Sequence, residues 1–292
     1  MNKPPSSGAF RLTGAMPDLK LAWNFDKIGH QAQRQFSPAR GTSMIAVRFV
    51  LSAVFVVATL GAAEVPQHRP TAPLFNGKNL KNFDIFLRSK GLNNDPDHVF
   101  TVENGIIHVS GKEFGYFITR QEYADYYLSA EFKWGEGTYA PREGHARDSG
   151  ILYHVAGEQK VWPTSIELQI QEGATGDVWL TDGASLRSMT GEKRTGPAGK
   201  AVPIDRFGKG PWKDVTGYRD PAGEIEKPHG EWNLVELVVQ GDHIWQFVNG
   251  KLMNEGTEAY PAKGKILFQS EGAEIFFRNI RMAPLEAATH SR

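Results

Sequence analysis

The sequence predicts an all-β fold: two antiparallel sheets packed face to face as a jelly-roll sandwich. Three observations carry that reading. Apolar residues recur at every second position in most of the chain, the period of a half-buried strand. Turn signals separate these runs at the short spacing of antiparallel hairpins. After residue 63, no segment longer than about ten residues keeps the 3.6-residue period of a helix. Glycine agrees, at 31 of 292 residues, about 11% against an ordinary ~7%. Short runs suggest about thirteen strands, too many for one flat sheet.

In chain order, the first feature is a targeting segment. Arg48 supplies a positive start, Phe49 to Leu60 form an apolar run, and Gly61-Ala62-Ala63 offers the small residues that signal peptidase accepts. Residues 44–63 are therefore read as a signal peptide, cleaved after Ala63. That run of twelve residues spans about 18 Å as a helix, short of a ~30 Å hydrocarbon core, so no stable membrane insertion is expected after cleavage. Translation is expected to begin at Met44, leaving residues 1–43 as an extension outside the mature protein. The expected destination is the periplasm or the extracellular space. The absence of cysteine is compatible with it.

Residues 64–73 read as a Pro-containing linker, 74–286 as the folded domain and 287–292 as a tail. Tyr126, Leu128, Ala130, Phe132 and Trp134 alternate with Tyr127, Ser129, Glu131 and Lys133. Trp232, Leu234 and Val238 alternate in the same way with Asn233, Val235, Leu237 and Val239, and Ile166, Leu168 and Ile170 with Glu167, Gln169 and Gln171. Turns are expected at Glu103-Asn104-Gly105, Gln240-Gly241-Asp242 and Val248-Asn249-Gly250. Residues 183–230, rich in Gly, Lys and Pro, read as long loops over a groove rim, with brief strand-like pieces at Ala201 to Phe207 and Val215 to Tyr218.

Charge narrows the partners. Residues 1–63 hold seven of the 33 basic and two of the 33 acidic residues, so 64–292 hold 26 basic and 31 acidic ones, a balance of −5. A mildly acidic body without a basic stripe argues against nucleic acid.

The stretch from Asp148 to Gly173 concentrates the chemistry. Alternation puts Glu167, Gln169 and Gln171 on one face, away from the core. The same rule sends Ile151, Tyr153 and Val155 inward and Gly150, Leu152 and His154 outward, so His154 is expected beside the polar row. Trp162 and Trp179 are suitable platforms for sugar rings, although each also fits a core position.

These residues carry a resemblance. Leu74-Phe75-Asn76-Gly77-Lys78-Asn79-Leu80, Phe100 to Ile107, Asp148-Ser149-Gly150-Ile151, Glu167-Leu168-Gln169, Gly230-Glu231-Trp232-Asn233, Val248-Asn249-Gly250-Lys251 and Ile266-Leu267-Phe268-Gln269 with Phe276 to Ile280 succeed one another in the order found in the 3-keto-disaccharide hydrolase family. From about Pro73 to Leu285 the chain resembles that family, also described as 3-keto-glucoside 1,2-lyase/3-keto-2-hydroxy-glucal hydratase. The resemblance implies a concanavalin-like sandwich and a carbohydrate substrate. At two groove positions the chain departs from many members: His154 stands where Arg is common, and Glu271 where His is common.

The chemistry implied is an elimination. A ketone at C3 acidifies the C2 hydrogen, and expulsion of the C1 substituent cleaves the glycosidic bond. Water then adds to the 2-hydroxy-3-keto-glucal. The reaction needs a base, an acid for the leaving oxygen and a donor for the enolate oxygen. His154, Glu167 and Glu271 are the expected catalytic groups, and Gln169, Gln171, Trp162, Trp179 and Gln269 the expected substrate contacts. A divalent metal bridging O2 and O3, held by His154 and Glu167, is a further expectation. Two other readings stay open: a non-catalytic carbohydrate-binding module, and a retaining glucanase using Glu167 and Glu172. The glucanase reading needs a bulge, because residues five apart on a regular strand face opposite ways.

Overall fold

The structure is a computed structural model that describes residues 65–204 and 212–285. The expected extension 1–43, signal peptide 44–63, cleavage point and tail 287–292 lie outside the described residues. Among those residues no helix occurs, and none is therefore long and apolar enough to cross a membrane.

Among the described residues eighteen strands succeed one another. The first seven are β1 (Ala72–Pro73), β2 (Phe83–Leu87), β3 (Gly91–Leu92), β4 (Phe100–Glu103), β5 (Ile106–Val109), β6 (Gly115–Thr119) and β7 (Tyr126–Thr138). The middle of the chain adds β8 (Asp148–Ala156), β9 (Thr164–Gln171), β10 (Val178–Thr181), β11 (Ser185–Ser188), β12 (Lys193–Thr195) and β13 (Ala201–Pro203). The last five are β14 (Asn233–Gln240), β15 (His243–Val248), β16 (Lys251–Tyr260), β17 (Lys265–Ser270) and β18 (Ala273–Pro284).

They form two antiparallel sheets. One has ten strands in the order β12-β11-β16-β15-β14-β7-β18-β5-β4, with β1 paired to β18; the other has eight, in the order β13-β10-β9-β8-β17-β6-β2-β3. The count exceeds the thirteen expected partly because residues 183–230, read mainly as loop, contain β11 and β12 besides β13, which falls in the strand-like piece expected from Ala201. Buried Leu186 ties β11 to the core, so tertiary packing overrides the turn-rich composition there. Val215 to Tyr218 form no strand.

The expected alternation holds where it was clearest. Leu128, Ala130 and Phe132 of β7 and Val235, Leu237 and Val239 of β14 meet Ile151, Ile166, Leu168 and Ile170 of the facing sheet in one core. Phe117 stacks on Phe268 with centroids 4.7 Å apart and meets Phe277 edge-on at 6.1 Å. Burial of each such side chain contributes about 1.5–3 kcal/mol. The Asn-Gly turns behave as the sequence suggests: Asn104 and Gly105, like Asn249 and Gly250, all have positive φ, as a tight two-residue hairpin requires.

Two connections pass from sheet to sheet at one end of the sandwich, β7 to β8 and β17 to β18. They are tied together, since the Tyr139 N–H donates to the Gly272 carbonyl at 2.8 Å. The first connection carries Arg142 and the second Glu271.

Candidate functional site

The polar row of β9 faces outward from the eight-stranded sheet. In register, Gln171 lies opposite Asp148, Gln169 opposite Gly150 and Glu167 opposite Leu152 on β8, while Trp179 of β10 flanks Glu167 on its other side. Alternation along β17 adds Gln269, and continues into Glu271 just beyond the strand. Glu167, Gln169, Gln171, Trp162, Trp179 and Glu271 line a cavity of about 470 Å³ together with Arg142, Asp148, Trp212 and others. That volume suits a small-molecule ligand.

The row is not open to water, as a wet sheet face would be. Glu167 and Gln169 are each only 4% exposed, because the tryptophans and the surrounding loops wall the face in. Position 150 explains how the groups fit. A Cβ on Gly150 would collide with the Glu167 carboxyl and lie 2.6 Å from Gln269 Oε1. Ser149 Oγ meanwhile donates to the Gln269 carbonyl at 3.1 Å, holding β8 against β17.

Electrostatics distinguishes the two carboxyls. Burial and the charge of Glu271 raise Glu167 well above the ordinary carboxylate range, against the pull of Arg142. Burial pushes Glu271 up to about 7, opposed by the guanidinium charges of Arg142 and Arg88. Both carboxyls are thus held toward their protonated forms, and Glu271, with two guanidinium groups drawing on it, is the one poised to ionise near neutral pH. Arg88 lies 4.3 Å over the Phe114 ring and 5.9 Å from that of Trp162, a cation–π arrangement that holds its charge in place.

His154 is not part of this cavity. The expectation that it points outward, and that Val155 points to the core, fails at an irregularity in β8. His154 has φ 55°, and the pairing of β8 with β9 shifts between Tyr153 and Ala156. The shift reverses the alternation beyond Tyr153. His154 is 0% exposed and lies edge-on to Tyr126 and Tyr153 in the interior, its Nδ1–H donating to the Pro261 carbonyl at 2.7 Å. Val155 joins Tyr116, Ile118, Leu152 and Leu267 in an apolar cluster on the outer face. Burial pushes the His154 imidazole down to about 4.

A metal held by His154 and Glu167 does not fit, because the two side chains point to opposite faces of the sheet. Among the described residues no three His, Cys, Asp or Glu side chains converge as ligands. Glu172 is equally remote from the role of a second glucanase carboxylate. It accepts from Arg147 Nη1 at 2.7 Å, the Arg147 N–H at 2.9 Å and the Gly217 N–H at 2.7 Å. It borders a separate hollow with Glu226 and Tyr218.

Sequence reasoning missed Arg142, Arg88 and Trp212. Trp212 Nε1–H donates to the Glu172 carbonyl at 2.9 Å, which places its ring on the cavity wall. An isolated tryptophan within a polar loop was the signal available. Arg142 and Arg88 gave none, because neither sits in a periodic segment.

No curated protein matches the chain. Among solved structures, a candidate glycosyl hydrolase from Parabacteroides distasonis ATCC 8503 is similar at 21% identity and TM-score 0.47, the match covering 74% of this chain and 94% of that one. The carbohydrate-binding module CBM66 from Bacillus subtilis is similar at 8% identity and TM-score 0.43, covering 63% of this chain and 90% of that one. A Bacillus licheniformis β-glucanase is similar at 13% identity and TM-score 0.35, covering 63% and 81%. A family model spans nearly the whole sandwich, residues 70–283, and by that match the chain belongs to the family of the 3-keto-alpha-glucoside-1,2-lyase-like domain.

Proposed function

We propose that the protein cleaves 3-keto-glycosides by elimination followed by hydration. One observation carries the reading: two carboxyls line one cavity, both with raised proton affinity, and Glu271 alone has Arg88 as well as Arg142 drawing it toward the ionised form. Such a pair divides into an acid and a base at neutral pH. The family match supports the substrate class, and the apolar run at 49–60 supports export.

Glu271, ionised beside Arg142 and Arg88, takes the C2 proton of the sugar. The electrons form the enolate of the C3 ketone, whose oxygen needs a donor. Arg142, which lines the cavity, supplies it. The enolate collapses to the C1–C2 double bond as the C1–O bond breaks, and Glu167 gives its proton to the leaving oxygen. In hydration the roles reverse: Glu167 takes a proton from water as its oxygen adds to C1, and Glu271, its proton exchanged with solvent while the leaving group departs, protonates C2. No redox change is left over, and both carboxyls regain their starting state. Trp162, Trp179 and Trp212 face the sugar rings, and Gln169 and Gln171 face hydroxyls.

The test offers the protein a 3-keto-glucoside and its unoxidised parent in D2O. Turnover of the keto compound alone is expected, with deuterium at C2 of the product. Glu167→Gln and Glu271→Gln should each lower kcat by about a hundredfold or more. Equal cleavage of the parent, or bond cleavage without deuterium at C2, would overturn the elimination.

A further inference from the structure

We propose that Asp148 is a positioning residue for this reaction, holding Arg142 beside the two catalytic carboxyls and turning the Gln169 amide so that its oxygen faces the substrate. The proposal deepens the elimination reading and rests on it. Asp148 opens β8, is 3% exposed, and is the point on which three donors converge. Its Oδ1 accepts from Gln169 Nε2 at 3.1 Å and its Oδ2 from Gln171 Nε2 at 2.7 Å. Arg142 Nη2 donates to that same Oδ2.

A carboxylate only accepts, so each glutamine must turn its NH2 toward Asp148 and its oxygen away. Gln169 Oε1 is left buried without a partner on a residue that lines the cavity. An unsatisfied buried acceptor is unfavourable, and a substrate hydroxyl donating to it removes the defect. Asp148 thus makes Gln169 an acceptor site for a hydroxyl rather than a donor site.

The second effect passes through Arg142. Its other acidic partner is Asp214, whose Oδ1 lies 3.5 Å from Nη1. The charged groups around the carboxyl pair come from several elements: Arg142 from the β7–β8 connection, Arg88 after β2, Asp148 on β8, Asp177 after β9, and Asp214. The Asp148 charge offsets that of Arg142. Without it, the field at Glu167 and Glu271 becomes more positive, and both ionise at lower pH.

Asp148→Asn tests both effects. An amide in place of the carboxylate cannot accept from both glutamines and the arginine. KM for the 3-keto-glucoside should rise about tenfold, the worth of one hydrogen bond. The lower titration midpoint of the carboxyl pair, read by NMR of protein labelled with 13C-glutamate, should fall by about one pH unit. Asp214→Asn, at an exposed position that does not touch the glutamines, should move the midpoint the same way and carries that arm if Asp148→Asn does not fold. Unmoved midpoints overturn the electrostatic role, and a lower kcat with wild-type KM and midpoint reduces Asp148 to a structural group. If the wild type turns over no 3-keto-glucoside, the elimination reading fails, while the midpoints still decide the link from Asp148 to the carboxyls.

Discussion

At position 150 the side chain is a hydrogen atom because the space above it is already taken. Glu167 and Gln269 fold over that backbone, and a Cβ there would meet both. The colliding atoms are the far ends of flexible side chains, so the strain is relieved by moving them rather than the sheet. Gly150→Ala should therefore fold with a melting temperature close to wild type yet lower kcat about a hundredfold, as a displacement near 1 Å of a catalytic group does. Wild-type kcat in that variant would mean that Glu167 is not where the reaction occurs. Much of this neighbourhood was legible in the sequence. Strict alternation placed Glu167, Gln169 and Gln171 on one face, and it held because these residues pair with Asp148 to Leu152 of β8 without a register shift. Their burial was not legible, since it depends on walls contributed by distant loops, with Trp212 on one of them.

On the scale of the strand, β8 shows where pattern reading stops. Through Tyr153 its residues keep the period of two, and Ile151 and Tyr153 reach the core as expected. A single residue in left-handed backbone conformation, His154, then inverts the facing of the strand's last residues. No local turn signal marks it, because Val155 and Ala156 come next and both are ordinary strand residues. The inversion changes the meaning of His154 from site to core. His154→Ala should remove a packed ring and its hydrogen bond to Pro261, at a cost of about 3 kcal/mol in urea unfolding. The pH–rate profile should stay that of the wild type. Lost turnover at wild-type stability would return the imidazole to the site. The connections between sheets were just as opaque. Arg142 and Glu271 meet because β7–β8 and β17–β18 cross at the same end, a fact of topology rather than of local sequence.

For the molecule as a whole, buried ionisable groups set how stability depends on pH. Glu226 is 7% exposed and is pushed up to about 7, chiefly by burial, although Thr175 Oγ1 and Trp134 Nε1 donate to it at 2.5 and 3.1 Å. Glu167 and Glu271 are raised as well. For each, the folded state binds its proton more tightly than the unfolded chain, so the stabilisation is complete below about pH 4.5 and is lost as pH rises, through about 7 for Glu226 and Glu271. His154, lowered to about 4, acts in the opposite sense: its contribution is full above about pH 6.5 and is lost as pH falls toward 4. Three carboxyls outweigh one imidazole, and unfolding free energy should decline from pH 5 to pH 8. A shift of the size seen at Glu226 corresponds to about 3 kcal/mol, a large part of a typical 5–15 kcal/mol. Glu226→Gln should flatten the decline by about that amount, measured by urea denaturation at both pH values. Because Glu226 borders the hollow with Tyr218 and Glu172 rather than the cavity of Glu167 and Glu271, the same substitution should leave the pH–rate profile in place. An unchanged decline in the variant would show that Glu226 ionises in the folded protein much as it does in the unfolded chain.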